Sequence, residues 1–304
     1  MSKKVIVLCG GFSEEKEVSK KSSSAISGAL IDNGFNVELV DPVDFSSYSD
    51  LVNYIKHKNP YIVFNGLHGA EGEDGRIQSI LSLEKIHFTG SKHTGSAIAM
   101  NKYVSTLIAK SIGVPSPKQV LLTQKRSLTD EEIEMIGLPL IVKPNSNGSS
   151  VGVHIVKEKQ NLEKAVTDAY LYDTEVLCQQ FIPGRELTVS VLGNEVLPVV
   201  EIIPNEGFYD YTNKYTKGKT SYVCPADLND NEVLVIQKFA KDIFHTCSCS
   251  VYGRVDFRYD GNHFYFLEIN TLPGMTELSL TPMAAKAVGL SFDSLIKRII
   301  ELSV

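Results

Sequence analysis

The chain is long enough for more than one domain and carries a small excess of acidic residues. It has 304 residues, with 30 Lys plus Arg against 36 Asp plus Glu, which is a formal net charge of −6. At roughly 150 residues per domain, this length predicts at least two compact units. Proteins that bind nucleic acid or anionic membranes are usually basic, so the charge balance argues against both classes. No apolar run approaches the roughly 20 residues of a membrane span, and we expect a cytoplasmic α/β protein.

The first 90 residues alternate between predicted strands and predicted helices. Apolar runs predict strands at 4–9, 35–40 and 61–64, and helical spacing predicts one helix that stops at Asn33-Gly34 and others at 51–58 and 77–83. Strands that alternate with helices form a parallel sheet, whose ligands bind in loops after the strand carboxyl ends. Glu15 and His68 lie in two such loops. Glu15 also fits a simpler interpretation, in which it is one of several acids in the first turn of a helix.

The rest of the chain is predicted to form two further compact pieces. The predicted helices are 100–112, 129–136, 162–171 and 231–246, followed by C-terminal helices. The predicted strands are 119–122, 138–143, 151–156, 176–181, 186–192 and 196–203, with a hairpin at 253–270. Pro183-Gly184 is a predicted linker, and we expect three units at 1–90, 91–182 and 183–304. The aperiodic loop 205–222 is predicted to be an active-site lid rather than a nucleic-acid surface, because acidic residues dilute its lysines.

The five cysteines do not form a disulfide or metal-site pattern. They stand at positions 9, 178, 224, 247 and 249. Cys247 and Cys249, with His245 nearby, invite a metal interpretation, but zinc sites need a second ligand pair. The stretch 231–249 also looks helical, where side chains two residues apart point to different faces. We therefore expect structural thiols.

The hairpin at 253–270 carries the strongest chemical signal. A three-residue loop at Asp260-Gly261 would set Asp256 opposite Glu268 and Arg254 opposite Asn270. Two-residue alternation then predicts one face that holds these four residues together with Phe264 and Phe266, and another that holds Val255, Tyr265, Leu267 and Ile269. Two carboxylates and an amide suit Mg²⁺, and the neighbouring Arg suits a bound anion. The alternative is a solvated hairpin with a cross-strand ion pair, which the two phenylalanines argue against.

Segment 143–152 is a weaker signal for phosphate binding. A buried strand that ends at Lys143 and continues into a Gly/Ser loop can close backbone N–H groups over phosphates, although such turns are also common without a ligand. Gly218-Lys219-Thr220 resembles the end of a P-loop, but the required glycine is replaced by Asn213. Gly10-Gly11 does not match the dinucleotide-binding fingerprint.

Taken together and in order, these segments resemble the D-alanine–D-alanine ligases of the ATP-grasp superfamily. The resemblance spans essentially the whole chain. Its motifs are GGFSEEKEVS from Gly10, LHG from Leu67, GEDG from Gly72, MNK from Met100, VKP from Val142, GSSVG from Gly148, FYDYTNKY from Phe208, GRVD from Gly253 and EINTLPGMT from Glu268. Each motif is weak alone, and the ordered set is specific.

The resemblance implies a fold and an activity. The fold is a three-domain ATP-grasp architecture: an N-terminal, Rossmann-like substrate-binding domain at 1–90, a central ATP-grasp domain at 91–182 and a C-terminal ATP-grasp domain with the lid and metal site at 183–304. The activity is ligation of two D-alanines through a D-alanyl phosphate for peptidoglycan precursors, with ATP as co-substrate and two Mg²⁺ or Mn²⁺. The implied partners are D-alanine, ATP and a second copy of the chain in a homodimer, with no nucleic acid and no membrane.

The resemblance also implies the site residues. ATP would contact Lys102, Lys143, Ser149, Ser150, Gln179, Gln180, Ile182, Glu186, Tyr209 and Lys214. The metals would bind Asp256, Glu268 and Asn270. The amino-acid substrates would contact Glu15, His68, Ser279 and Leu280. Catalysis would involve Glu15, Ser149, Tyr215, Arg254 and Gly274, the last two at the oxyanion.

Two positions depart from the family, and they bear on nucleotide and second-substrate binding. The family usually has Glu where this chain has Gln179, and often His where it has Leu278. A sibling ligase that uses D-lactate or D-serine, or another carboxylate–amine ligase, is the nearest alternative function. Because Tyr215 of the lid is retained, we expect an amino acid rather than a hydroxy acid as the second substrate. A regulatory protein without turnover is disfavoured, because all three metal ligands are present.

Overall fold

The structure, a computed structural model, describes residues 2–148, 151–205 and 219–304. Its helices are α1 Lys16–Asp32, α2 Tyr48–Lys58, α3 Arg76–Leu83, α4 His93–Met100, α5 Lys102–Ser111, α6 Asp130–Ile136, α7 Leu162–Ala169, α8 Asp230–Thr246, α9 Leu280–Ala287 and α10 Phe292–Leu302. Its strands are β1 Lys4–Leu8, β2 Asn36–Val40, β3 Ile62–Asn65, β4 Gln119–Leu122, β5 Leu140–Pro144, β6 His154–Val156, β7 Val176–Gln180, β8 Arg185–Leu192, β9 Glu195–Val196, β10 Val200–Pro204, β11 Thr220–Val223, β12 Tyr252–Tyr259 and β13 Phe264–Asn270.

The first sheet is parallel, as the alternation of strands and helices predicts. Its strand order is β2-β1-β3, and residues 5–8 of the central strand are fully buried. The apolar spacing of α1 continues to Asp32, and Gly34 then turns the chain with φ +83°, a left-handed conformation that favours glycine. Glu15 and His68 follow the carboxyl ends of β1 and β3, which places both at the same edge of the sheet.

The other two sheets are antiparallel. The order β4-β7-β5-β6 forms the sheet in the middle of the chain, and β11-β10-β8-β12-β13, with β9 beside β8, forms the last one. Residues of the middle sheet and of the β12–β13 hairpin of the last sheet border a common cavity, which is described below. The mixed α/β architecture confirms the predicted fold class.

Hydrophobic cores join parts of the chain that are far apart in sequence. Val5 and Ile26 of the N-terminal region share one buried cluster with Leu295 and Ile299 of α10. Ala109 of α5 belongs to a cluster with the last sheet rather than with the middle one. These cores cross the predicted boundaries at 90 and 182, and the division into three domains stays a prediction. None of the helices in the described ranges combines the length and apolar character that a membrane span requires.

Several predicted element bounds were wrong for identifiable reasons. The helix predicted at 100–112 corresponds to α5, and the preceding helix α4 was not predicted. Asn101 separates the two helices, because it ends α4 and its side chain caps α5. The strand predicted at 196–203 is split into β9 and β10, and the one at 151–156 is formed only at His154–Val156. α8 ends at Thr246, as the predicted helix 231–246 does, whereas the helical stretch assumed to reach Cys249 was three residues too long.

Cys247 and Cys249 lie buried in the apolar cluster against the last sheet, consistent with structural thiols. Burial raises the pKa of Cys247 to about 12, which keeps this thiol protonated at neutral pH.

Candidate active site

A cavity lies between the middle sheet and the β12–β13 hairpin. Most of the residues assigned to the nucleotide and metal by the family resemblance line it together: Lys102, Lys143, Gln179, Gln180, Ile182, Glu186, Asp256 and Glu268. Ile141, Val151 and Val153 add apolar walls from β5 and the loop that follows it. A cleft that has apolar walls and a few charged groups at one end is typical of a nucleotide site.

The hairpin pairs Asp256 with Glu268 and Arg254 with Asn270, as predicted. The predicted loop was nevertheless wrong, because Tyr259 pairs with Phe264 and residues 260–263 form the turn. A β-bulge next to Asp256 absorbs the difference, since Phe257 pairs with Phe266 and leaves Leu267 as the extra residue. The longer turn and the β-bulge therefore compensate each other, and the predicted pairing of Asp256 with Glu268 is retained.

The bulge also changes which side chains share the carboxylate face. Phe264 and Phe266 lie in the buried core with Phe257, on the face away from Asp256. Leu267 lines the cavity beside Glu268, although strict alternation predicts opposite faces. Phe264 and Phe266 therefore do not share the face of the carboxylates, contrary to prediction, and the predicted face of Leu267 was also wrong.

Asp256 is held rigidly by neighbours on two strands. Arg254 Nε donates to Asp256 Oδ1 and Arg254 Nη2 donates to Oδ2, each at 2.9 Å. The hydroxyl of Thr188, which is paired with Asp256 across β8 and β12, also donates to Oδ1. The bidentate geometry orients both groups and holds the Arg254 guanidinium beside Asp256, which lines the cavity.

Lys102 is one of the cations that line the charged end of the cavity. Its Nζ lies 3.3 Å from Glu268 Oε2 and donates to the carbonyl of Asn147 at 2.6 Å. Asn145, which is fully buried, fixes the first turn of α5, because its carbonyl accepts from Lys102 N and its side chain accepts from Tyr103 N. Lys102 therefore ties the hairpin to the loop after β5.

Arg258 is a functional candidate that the sequence interpretation missed. It lines the cavity and donates to the carbonyls of Ile182 at 3.2 Å and Gly184 at 2.6 Å. Its Nη1 lies 3.2 Å from Glu186 Oε2. The signal was present, since Arg254, Asp256 and Arg258 alternate along β12 and so share one face.

The hairpin provides a set of hard oxygen donors that fits Mg²⁺. Asp256 and Glu268 face each other across two strands, and Asn270 lies two residues beyond Glu268. A carboxylate offers about four lone-pair positions, and Arg254 and Thr188 occupy three of those on Asp256. The amide oxygen of Asn270 accepts only the Leu272 N–H among its described contacts. Mg²⁺ takes few protein ligands and fills its remaining positions with water or phosphate oxygens.

The loops at the edge of the parallel sheet form a second polar cluster. Ligand atoms of Glu15, His68 and Glu73 all lie within 4.8 Å of one another. His68 Nδ1 lies 3.3 Å from Glu73 Oε1, and both residues are buried. A Cβ atom at Gly148 would lie 2.5 Å from Glu15 Oε1, so the loop after β5 approaches this carboxylate closely at Gly148. Glu73 belongs to the GEDG motif and is a member of this cluster that the sequence did not predict.

The loop between β13 and α9 completes the arrangement. Ser279 is the N-cap residue of α9, and its Oγ accepts from Thr276 N at 3.1 Å. A Cβ atom at Gly274 would lie 3.2 Å from Ser279 Oγ, so these two predicted site residues are neighbours. The side chain of Leu280 is buried in a core cluster. Ser149, Ser150, Tyr209, Lys214 and Tyr215 lie outside the described residues.

Comparisons with known proteins show the family to which the chain belongs. A family model described as the D-ala D-ala ligase C-terminus matches residues 108–301. The curated D-alanine–D-alanine ligase of Pseudoalteromonas translucida is 42% identical over 300 residues, which cover 98% of this chain and 96% of the relative. The chain belongs to the D-alanine–D-alanine ligase family.

Solved structures of this ligase family have the same fold. The D-alanine–D-alanine ligase of Bacillus anthracis complexed with ATP superposes with a TM-score of 0.88 at 31% identity, covering 99% of this chain and 97% of that one. The VanG D-Ala:D-Ser ligase of Enterococcus faecalis has a TM-score of 0.83 at 31% identity, with both chains covered completely. The predicted ATP-grasp ligase fold is confirmed.

Proposed function

We propose that the protein is an ATP-dependent D-alanine–D-alanine ligase that supplies peptidoglycan precursor synthesis. The observation that carries this proposal is that Lys102, Lys143, Arg258 and the paired carboxylates Asp256 and Glu268 line one and the same cavity. Such a cavity suits a polyphosphate whose charge is neutralised by cations and metal. Membership of the ligase family and the B. anthracis complex with ATP support the same function.

ATP binds with its base between the apolar walls and its phosphates at the charged end of the cavity. Gln179, Gln180 and Ile182 of the β7–β8 connection offer polar groups to the base, and Glu186 reaches the ribose. Lys102 and Lys143 neutralise phosphate oxygens, and Ser149, Ser150, Tyr209 and Lys214 contribute from the phosphate loop and the lid. Binding in this cavity excludes water from the transferring phosphoryl group.

Asp256, Glu268 and Asn270 hold two Mg²⁺ when the enzyme is loaded, and the ions supply charge neutralisation on the phosphate oxygens. Lys102 contributes from the protein side, since its ammonium group already lies 3.3 Å from Glu268. Arg254 is held by Asp256 in a fixed orientation and therefore presents donors at the point where an oxyanion forms.

The reaction has two steps, both of which depend on positioning. The carboxylate of the first D-alanine, whose ammonium group is held by Glu15 with His68 nearby, attacks the γ-phosphorus and releases ADP. The amine of the second D-alanine then attacks the acyl phosphate. Arg254 and the N–H of Gly274 stabilise the oxyanion of the tetrahedral intermediate, which expels phosphate, while Ser149 and Tyr215 complete the hydrogen-bonded group around Glu15.

A sibling specificity for D-serine is the second candidate, favoured by the likeness to the E. faecalis D-Ala:D-Ser ligase. Ser279 and the start of α9 receive the second substrate in this proposal. An apolar pocket built for a methyl group rejects an added hydroxyl only by about 10²-fold. We therefore expect D-alanine to be preferred modestly over D-serine and, because Tyr215 of the lid is retained, strongly over D-lactate.

The test is amino-acid-dependent phosphate release from ATP, measured with a panel of D-amino and D-hydroxy acids at pH 7.5 to 8. Product masses from competition assays identify the ligated pair. Dominant formation of D-Ala-D-Ala supports the proposal. Dominant formation of D-Ala-D-Ser or D-Ala-D-lactate would instead show that the protein is a D-Ala:D-Ser or D-Ala:D-lactate ligase. Location in the cytoplasm and assembly as a homodimer belong to the same proposal, and sedimentation analysis tests the latter.

A further inference from the structure

Ser22 lies where the first-substrate cluster meets the loop that carries Gly274. It is on α1 and only 1% exposed. The N–H of Met275 donates to Ser22 Oγ at 3.2 Å, across a sequence separation of 253 residues. His68 Nε2 lies 3.2 Å from the same oxygen. One hydroxyl thus contacts both halves of the candidate site.

The contacts define where the protons lie. A serine hydroxyl has one proton to donate and can accept through its lone pairs. Ser22 Oγ already accepts from Met275 N–H, and within the described ranges His68 Nε2 is its only other hydrogen-bond partner. The Ser22 proton therefore goes to Nε2, and the ring carries its own proton on Nδ1, where Glu73 Oε1 lies at 3.3 Å. A neutral imidazole in this tautomer satisfies all of these groups at once.

The hydrogen bonds of Ser22 to His68 and Met275 couple the positions of two loops of the candidate site. Ser13 Oγ donates to the His68 carbonyl at 2.6 Å and accepts from Glu15 N at 3.2 Å, so the backbone of His68 is tied to that of Glu15. Met275 immediately follows Gly274, and its side chain is buried in the core that contains α1. A shift of the Ser22 hydroxyl would therefore move the imidazole and the peptide after Gly274 together.

We propose that Ser22 is a positioning residue for ligation, which fixes the Nδ1–H tautomer of His68 and anchors the Gly274–Met275 peptide. This inference rests on the proposed function, because the roles of Glu15, His68 and Gly274 belong to it. Ser22 acts through these groups and touches no substrate.

The matched control is Ser23, the next residue on α1. Ser23 is also fully buried, but its hydroxyl lies 3.3 Å from the carbonyls of Leu8 and Gly66, which belong to the parallel sheet and its loop. We expect Ser22→Ala to lower kcat by about 10- to 100-fold, as small misplacements at a reacting centre do, with KM for ATP changed less than twofold. Ser23→Ala should keep the wild-type kcat at a comparable loss of thermal stability.

The tautomer is measured independently of turnover by long-range ¹H–¹⁵N correlation of the histidine rings, with His68 assigned by its loss in His68→Gln. The wild-type protein should show a protonated Nδ1 and an unprotonated Nε2. This pattern should be lost in Ser22→Ala and kept in Ser23→Ala. If Ser22→Ala does not fold, Ser22→Cys replaces it, because cysteine has a similar volume but is a weak hydrogen-bonding group. Ser22→Thr keeps a hydroxyl and should therefore retain both the wild-type ring pattern and the wild-type kcat.

The outcomes separate the two proposals. A wild-type protein without D-alanine-dependent phosphate release overturns the proposed function. An active wild-type protein whose Ser22→Ala variant keeps its kcat and its His68 ring pattern overturns the role of Ser22. Equal losses of kcat in Ser22→Ala and Ser23→Ala, with the ring pattern unchanged, also overturn it, since they indicate a general packing effect.

Discussion

Asp256 lies directly opposite Glu268 across β12 and β13, with a β-bulge beside the pair. The bulge allows Leu267 and Glu268 to line the same cavity while Phe266 remains in the core. An apolar side chain and a carboxylate of the cavity thus come from adjacent residues. Bulges commonly redirect side chains near active sites, and this one has that effect here.

Glu268→Gln should lower turnover by at least about 10²-fold while the fold stays intact, because it removes a carboxylate charge that would hold Mg²⁺ and the ion-pair partner of Lys102. Phosphate release at saturating Mg²⁺ and circular dichroism measure the two effects. Glu195→Gln is the control, since Glu195 is exposed and pairs with Arg298 away from the cavity. Near-normal turnover of Glu268→Gln would exclude the metal assignment.

Gln179→Glu should tighten the binding of a non-hydrolysable ATP analogue or leave it unchanged. A carboxylate accepts a hydrogen bond from the adenine amino group with about 1.5–3 kcal/mol, against about 1 kcal/mol for a neutral amide. Gln179 is 2% exposed, and its amide lies 3.5 Å from that of Gln119, which can rotate to donate. Calorimetric titration compares the two proteins, and clearly weaker binding by the variant would refute the assignment of Gln179 to the base.

Arg258→Met should weaken binding of the same analogue by about tenfold, since hydrogen bonds from charged groups contribute about 1.5–3 kcal/mol. The variant releases the carbonyls of Ile182 and Gly184 and removes the ion pair between Arg258 and Glu186. Arg298→Met is a matched control on the exposed surface of α10. Unchanged affinity of Arg258→Met would mean that the β7–β8 connection keeps its shape without this side chain.

The amino end of α6 should contribute to stability in a pH-dependent way. Glu132 belongs to a capping box with Thr129, and its hydrogen bonds from Arg126 hold its pKa below the usual value. Because the pKa of Glu132 is lowered in the folded state, the carboxylate stabilises the protein when the pH is above the ordinary Glu pKa of about 4.3. This contribution to stability is lost as the pH falls through the folded-state pKa. Glu132→Gln should therefore lose about 0.5 kcal/mol at pH 7, a small value because the pair is partly solvated.

Thermal unfolding midpoints across this pH range provide the measurement for Glu132→Gln. The difference from wild type should shrink as the pH falls below the ordinary Glu value. Glu134→Gln, an exposed change on the same helix, should show no such trend. A difference that stays constant with pH would contradict the electrostatic explanation.

The native thiols should react slowly with a disulfide reagent at pH 8. Burial raises the pKa of Cys9 to about 11 and the pKa of Cys178 to about 12, which leaves a thiolate fraction of at most about 10⁻³. Burial raises the pKa of Cys224 and Cys249 as well. Absorbance should therefore rise quickly only after denaturant is added. Rapid labelling of native Cys247 or Cys249 would contradict their assignment as buried structural thiols.

The order of strands and helices was predictable from the sequence because hydrophobic periodicity is a local property. The apolar run of β1, the helical spacing of α1 and the stop at Asn33-Gly34 act within a few residues of one another. The pairing of Asp256 with Glu268 was also predictable, although the assumed turn was one residue too short. The family motifs then indicated the ligase fold and activity, because their order along the chain is specific.

Only the tertiary structure revealed contacts between distant segments and the bulge that sets the faces of β13. Leu267 faces the cavity because Phe257 and Phe266 pack in the core on the other side, and no alternation rule contains that packing. Arg258 meets Glu186 across 72 residues, and Ser22 meets Met275 across 253. Such contacts depend on the path of the whole chain, whereas sequence periodicity reports only which face of each element is buried.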